Sequence, residues 1–95
     1  MVPANRQLNL KKLAKAIGEK KLKMATHNDA EKLTGLQVGG ISPLALLNKG
    51  FDMLIDQSSH DHTHIYISAG QKGINLKVPT GAVQEITNAK SVDVT

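Results

Sequence analysis

The sequence predicts an α/β domain of mixed α+β character, with a mixed, mostly antiparallel sheet packed on short helices. Three observations carry this. Leu10, Leu13, Ala14 and Ile17 recur at helical spacing. His64 to Ala69 alternates apolar and polar residues, and Gly70-Gln71-Lys72-Gly73 turns that run into a second one bearing Ile74, Leu76 and Val78. Helical and extended patterns follow one another with no internal repeat, low-complexity tract or linker, so residues 1–95 are expected to form a single domain.

In chain order, Asn9 caps a helix over residues 10–17 that Gly18 stops, and Lys11, Lys12 and Lys15 point away from its apolar face. Lys21-Leu22-Lys23-Met24 alternates like a short half-buried strand. Thr26 with Asp29 three residues on resembles a capping box, opening a helix over 27–34 that Gly35 ends. Val38-Gly39-Gly40-Ile41-Ser42-Pro43 is a loop whose glycines permit positive φ and close approach of the main chain to a neighbour. Residues 51–55 read as a buried strand ending at Asp56, and 57–63 as polar and irregular. In the hairpin, Ser68 is predicted opposite Asn75, Ile67 opposite Leu76 and Tyr66 opposite Lys77. Ile65, Ile67 and Leu76 then make a core face, and Tyr66, Ser68, Asn75 and Lys77 share the other, where a site could sit. Pro79-Thr80 opens a third helix with Val83 and Ile86 as its apolar pair, and 91–94 close the chain as a strand.

Composition narrows the function. With one Tyr, one Phe and no Trp, the core is aliphatic, and aromatic stacking platforms for single-stranded nucleic acid are excluded. The absence of Cys excludes disulfides and thiolate metal sites and suits a reducing compartment, the cytoplasm. No apolar run approaches the roughly 20 residues that span a bilayer. Charge is uneven. Residues 1–23 hold seven basic residues and one acid, whereas 24–95 hold five basic and seven acidic ones. A basic patch of this kind is the footprint of a polyanion partner, though it is also what a solvated lysine face looks like.

His60-Asp61-His62-Thr63-His64 is the one candidate metal cluster. Structural zinc needs four ligands at closed spacing and no second cluster exists, so a polar surface loop with no metal or other cofactor is expected. No nucleophile elbow, P-loop or dinucleotide fingerprint is present. Asp56 is the single acid at the end of an apolar strand, placed either in a cleft or as a cap on the following turn.

Several pieces, read in order, resemble one family. They are Leu10-Lys11-Lys12-Leu13-Ala14-Lys15-Ala16, then Thr34-Gly35 leading into Val38 to Pro43, Leu54-Ile55-Asp56, and Ile65-Tyr66-Ile67-Ser68-Ala69-Gly70 with Lys72-Gly73. They resemble the YbaK/EbsC family, aminoacyl-tRNA deacylases related to the editing domain of bacterial prolyl-tRNA synthetase. The resemblance runs from about Val2 to Val94. It implies trans-editing hydrolysis of mischarged tRNA of the Cys-tRNA(Pro) or Ala-tRNA(Pro) type. Gly39, Gly40, Ile41, Ser42 and Pro43 would be the loop that holds the aminoacyl group. Ser68 and Asn75 would complete the catalytic set, with Asp56, Gly70 and Lys72 on the substrate side. Lys11, Lys12 and Lys15 would face the acceptor-stem phosphates.

The family's lysine-bearing strand, with its aromatic-Lys-Thr-Leu pattern, has no counterpart here. The resemblance therefore implies the C-terminal two-thirds of such a domain. The isolated chain is expected to be inactive and to pair with a second copy as a homodimer. Prolyl-tRNA synthetase is a further implied partner. The alternative is a non-catalytic tRNA-binding or protein-interaction remnant of the same fold.

Overall fold

A computed structural model describes residues 1–95. Helix α1 spans Leu10–Ile17. The Asn9 side chain accepts from the N–H groups of Lys11 and Lys12, both at 3.1 Å, satisfying two of the orphan donors of the first turn. Gly18 ends the helix with φ +77°. Helix α2 spans His27–Thr34, with the Thr26 hydroxyl accepting from Asp29 N at 3.1 Å. Both helices therefore lie where their caps and stops predict.

The strands are β1 (Leu54–Asp56), β2 (His64–Ser68), β3 (Asn75–Pro79) and β4 (Lys90–Val92), and helix α3 (Thr80–Thr87) packs against β3. The β2–β3 hairpin is antiparallel with Ser68 opposite Asn75, Ile67 opposite Leu76 and Tyr66 opposite Lys77, the predicted register. β1 and β4 pair in parallel, so the mixed α/β fold is built from two two-stranded ladders. Met1 adds to β1. Its N donates to Leu54 O at 2.6 Å and its O accepts from Asp56 N at 2.9 Å, the pattern of one parallel bridge.

Some expectations change. Residues 21–24 form no strand, and Met24 is 60% exposed, because no neighbouring strand is there to take their backbone bonds. The strand expected over 51–55 shrinks to Leu54–Asp56, the length that β4 can pair. The polar stretch after it winds into a 3-10 helix, Gln57–Asp61, capped by Asp56. The closing strand lies at Lys90–Val92 rather than 91–94. Leu76 and Ile86 were expected inside and are 42% and 60% exposed.

The core is small and aliphatic: Ala14, Leu46, Ile55, Ile67, Val83, Ala89 and Val94. It draws one residue each from α1, β1, β2 and α3 and three from the connecting and terminal segments, and full burial of a side chain such as Ile55 contributes about 2 kcal/mol.

Candidate functional site

A cleft of about 420 Å³ lies between residues 1–6, the glycine loop, the 3-10 helix and β2. That volume suits a small organic group. Ile41, Pro43, Asp56 and Ser68 line it together, four residues singled out in the sequence and separated by up to 27 positions. Ile65 to Ser68 all line it, so the cleft runs along the edge of β2 rather than over the face carrying Tyr66 and Ser68. Asn75 and Lys77, expected on that same face, are exposed on β3 and do not line it.

The glycine loop is shaped by a close approach. Gly40 is buried, and a Cβ there would stand 2.8 Å from Lys72 N and 3.0 Å from Gln71 C. The backbone of the β2–β3 turn thus rests on the loop, and only glycine fits between them. Gly39 has φ +93°, and Gly70 in the turn has φ +91°. Gly40 N–H is committed to Gln37 O at 2.8 Å, whereas the N–H groups of Gly39, Ile41 and Ser42 make no hydrogen bond. Ile41 therefore offers an uncommitted donor next to the cleft it lines. Ser42 is 1% exposed, and its hydroxyl accepts from Leu44 N at 3.3 Å. The Ser68 hydroxyl accepts from Gly70 N at 3.3 Å.

Asp56 is 2% exposed, and its carboxylate is fully engaged. It accepts from Ser58 N at 3.2 Å, from the Ser58 hydroxyl, from Val94 N at 3.1 Å and from Thr95 Oγ1 at 3.3 Å. Burial pushes the carboxyl up, but these hydrogen bonds together outweigh it and hold the group below its ordinary value. Asp56 thus caps the 3-10 helix and ties the C-terminal segment to β1.

The basic residues separate. Lys11 and Lys15 are exposed without partners, while Lys12 is paired with Asp93 at 3.3 Å. Among the histidines, His60 Nε2 meets Ser91 Oγ at 2.7 Å, His64 Nδ1 meets Thr63 Oγ1 at 3.2 Å and His62 lines the cleft. No three His, Asp or Glu side chains converge on one point. Sequence reasoning missed residues 1–6, Ser58 and Ser59 as cleft walls. They come together only because Met1 bridges to β1, and no local pattern announces that.

A mixed α/β domain with a glycine loop seated on a hairpin, beside a cleft of this size, fits a protein that handles a small group through its main chain. Comparisons with known proteins give the class. The family model for the aminoacyl-tRNA editing domain matches residues 1–86, and the chain belongs to that family. Over its full length the chain is 35% identical to the "Putative Cys-tRNA(Pro)/Cys-tRNA(Cys) deacylase EbsC" of Enterococcus faecalis, of which it covers 57%. The crystal structure of hypothetical protein APE2540 matches with a TM-score of 0.87 at 26% identity, over 98% of this chain and 62% of that one. A "putative trans-editing enzyme for prolyl tRNA synthetase" shares the fold, with a TM-score of 0.83 at 21% identity over 94% of this chain and 55% of that one. The chain thus spans a little over half the length of these relatives. No helix is long and apolar enough to cross a membrane.

Proposed function

We propose that the chain takes part in trans-editing, hydrolysing the ester of mischarged aminoacyl-tRNA of the Cys-tRNA(Pro) or Ala-tRNA(Pro) type. The observation that carries this reading is the glycine loop, which the hairpin turn holds so that Ile41, Pro43 and Ser68 border one cleft. Chemistry there is positional. The uncommitted N–H of Ile41 is suited to the oxyanion that develops when the ester carbonyl is attacked. Water attacks that carbon, or the substrate's own thiol when the amino acid is cysteine, and the ribose oxygen leaves. Such catalysis draws its advantage from orientation and needs few side chains. Gly39, Gly40, Ser42, Gly70 and Asn75 serve this arrangement as its frame. Asp56 serves it by fixing the cleft wall.

The exposed Lys11 and Lys15 suit acceptor-stem phosphates. Prolyl-tRNA synthetase is the partner that the substrate implies, and the cytoplasm is where both meet. A second copy of the chain completes the proposed assembly.

The test is a deacylation assay on mischarged tRNA(Pro). It is run with the 95 residues alone and with an added peptide carrying the lysine-bearing strand of a longer relative. Release of the amino acid in either arm supports the reading. Binding without release in both arms assigns the chain to the non-catalytic, tRNA-binding class.

A further inference from the structure

We propose that Lys72 is the cation that holds a nucleotide phosphate at the glycine loop. The proposal rests on the editing reading, because an aminoacyl-tRNA presents its terminal nucleotide, with a phosphodiester on the 5′ side, to that loop.

Lys72 sits at the tip of the β2–β3 turn, where side chains ordinarily project freely into water. Ile74 N–H donates to Gln71 O at 3.2 Å, which makes Lys72 and Gly73 the central pair of the turn. The stem of Lys72 is nevertheless held. A Cβ on Gly39 would stand 3.2 Å from Lys72 Cγ, 3.7 Å from Cδ and 3.8 Å from Cε. The methylenes therefore run past Gly39 along most of their length. Beneath them, Lys72 N rests on Gly40. Backbone and stem are both fixed by the loop, so the ammonium is delivered to it at a reduced entropic cost.

That ammonium is uncommitted. Lys12 donates to Asp93 and Lys49 to Thr34 O at 3.4 Å, but Lys72 Nζ has neither a hydrogen bond nor an ion pair. The polar groups across the hairpin are the neutral Ser68 and Asn75, with cationic Lys77 two residues on. The same loop offers the unpartnered N–H groups of Gly39 and Ile41. A cation beside free main-chain donors is the chemistry that recognises phosphate oxygens. Ile41 and Pro43 continue from there into the cleft, which leaves apolar space for what the phosphate is attached to. A nucleotide should therefore bind better than phosphate alone.

Binding decides this independently of turnover. The 95-residue chain is titrated with adenosine 5′-monophosphate, adenosine and inorganic phosphate while the amide resonances of Gly39, Ile41 and Lys72 are followed. The nucleotide is expected to bind about tenfold tighter than adenosine, and also tighter than inorganic phosphate. Lys72→Gln should reduce nucleotide affinity to the adenosine level, and Lys72→Arg should keep it. For an RNA ending in CCA, Lys72→Gln should lower the slope of log affinity against log salt by about one. The proposal is overturned if wild type binds the nucleotide no better than adenosine, or if Lys72→Gln binds it as wild type does. Inorganic phosphate binding as tightly as the nucleotide would reassign the site to a free anion. Lys72-dependent nucleotide binding without any deacylation of mischarged tRNA would sink the editing reading and leave this one standing.

Discussion

Gly40 and Asp56 both owe their roles to what they touch. From sequence, Gly40 lies in a loop that lets the main chain approach a neighbour closely, and the family resemblance makes that neighbour the aminoacyl group. The structure puts the backbone of Lys72 and Gln71 in that space instead, so the first cost is to packing. Gly40→Ala should destabilise the chain by about 1–3 kcal/mol, read as a shifted urea midpoint, and Gly40→Val by more. Unchanged midpoints would show that the turn does not rest on the loop. For Asp56 the sign of the pH effect follows from its lowered carboxyl value. In the acid range the unfolded chain binds that proton before the folded one does. The stability Asp56 contributes is therefore full above the unfolded-chain value, near pH 4, and is lost as pH falls through the folded value. Asp56→Asn should cost about 2–3 kcal/mol at neutral pH and flatten the acid limb of stability below about pH 4. Urea midpoints of both proteins across that range are the measurement, and parallel acid limbs would refute the assignment.

At the scale of elements, α1 is the most informative. Its cap and stop were readable, because each is a local matter of residues within one turn, whereas of its predicted apolar face only Ala14 is buried and Ile17 is 43% exposed. What could not be read was that Lys12 is taken by Asp93, 81 residues away. Lys11→Gln with Lys15→Gln should therefore weaken tRNA binding about equally for all tRNA sequences and flatten its salt dependence. Lys12→Gln should do less, since its charge is already partly compensated. Filter-binding titrations at several salt concentrations test this, and an equal loss from Lys12→Gln alone would count against it. The hairpin register was legible for a related reason. The turn fixes which residues face each other, and the alternation on both strands agrees with it. Residues 21–24 mislead because alternation reports only a half-buried environment, and a strand also needs a partner.

For the whole molecule, the telling contrast is between a thin core and a generous apolar surface. Seven hydrophobic residues are buried, while Leu33, Tyr66, Ile74, Leu76 and Ile86 are all more than 40% exposed. Ile74, Leu76 and Tyr66 belong to one hairpin, and neither of its outer edges is paired. A small domain gains most by covering such a surface. Sedimentation velocity at tens of micromolar is expected to show a dimer, and Tyr66→Ser with Leu76→Ser should shift it toward monomer. A monomer for wild type at those concentrations would refute the homodimer.

The sequence by itself determined the first two helices with their ends, the start of the third, the hairpin and its register, the aliphatic character of the core and the position of the glycine loop. All of these depend on residues within a few positions of one another, where capping, periodicity and turn chemistry act. The tertiary structure decided which strands pair beyond the hairpin, that Asp56 also holds Val94 and Thr95, and that Gly40 serves the turn of β2–β3. It also decided that the cleft follows the edge of β2, walled by residues 1–6. Each of these joins segments 25 or more residues apart, and a contact at that range depends on how whole elements stack, which no local pattern encodes.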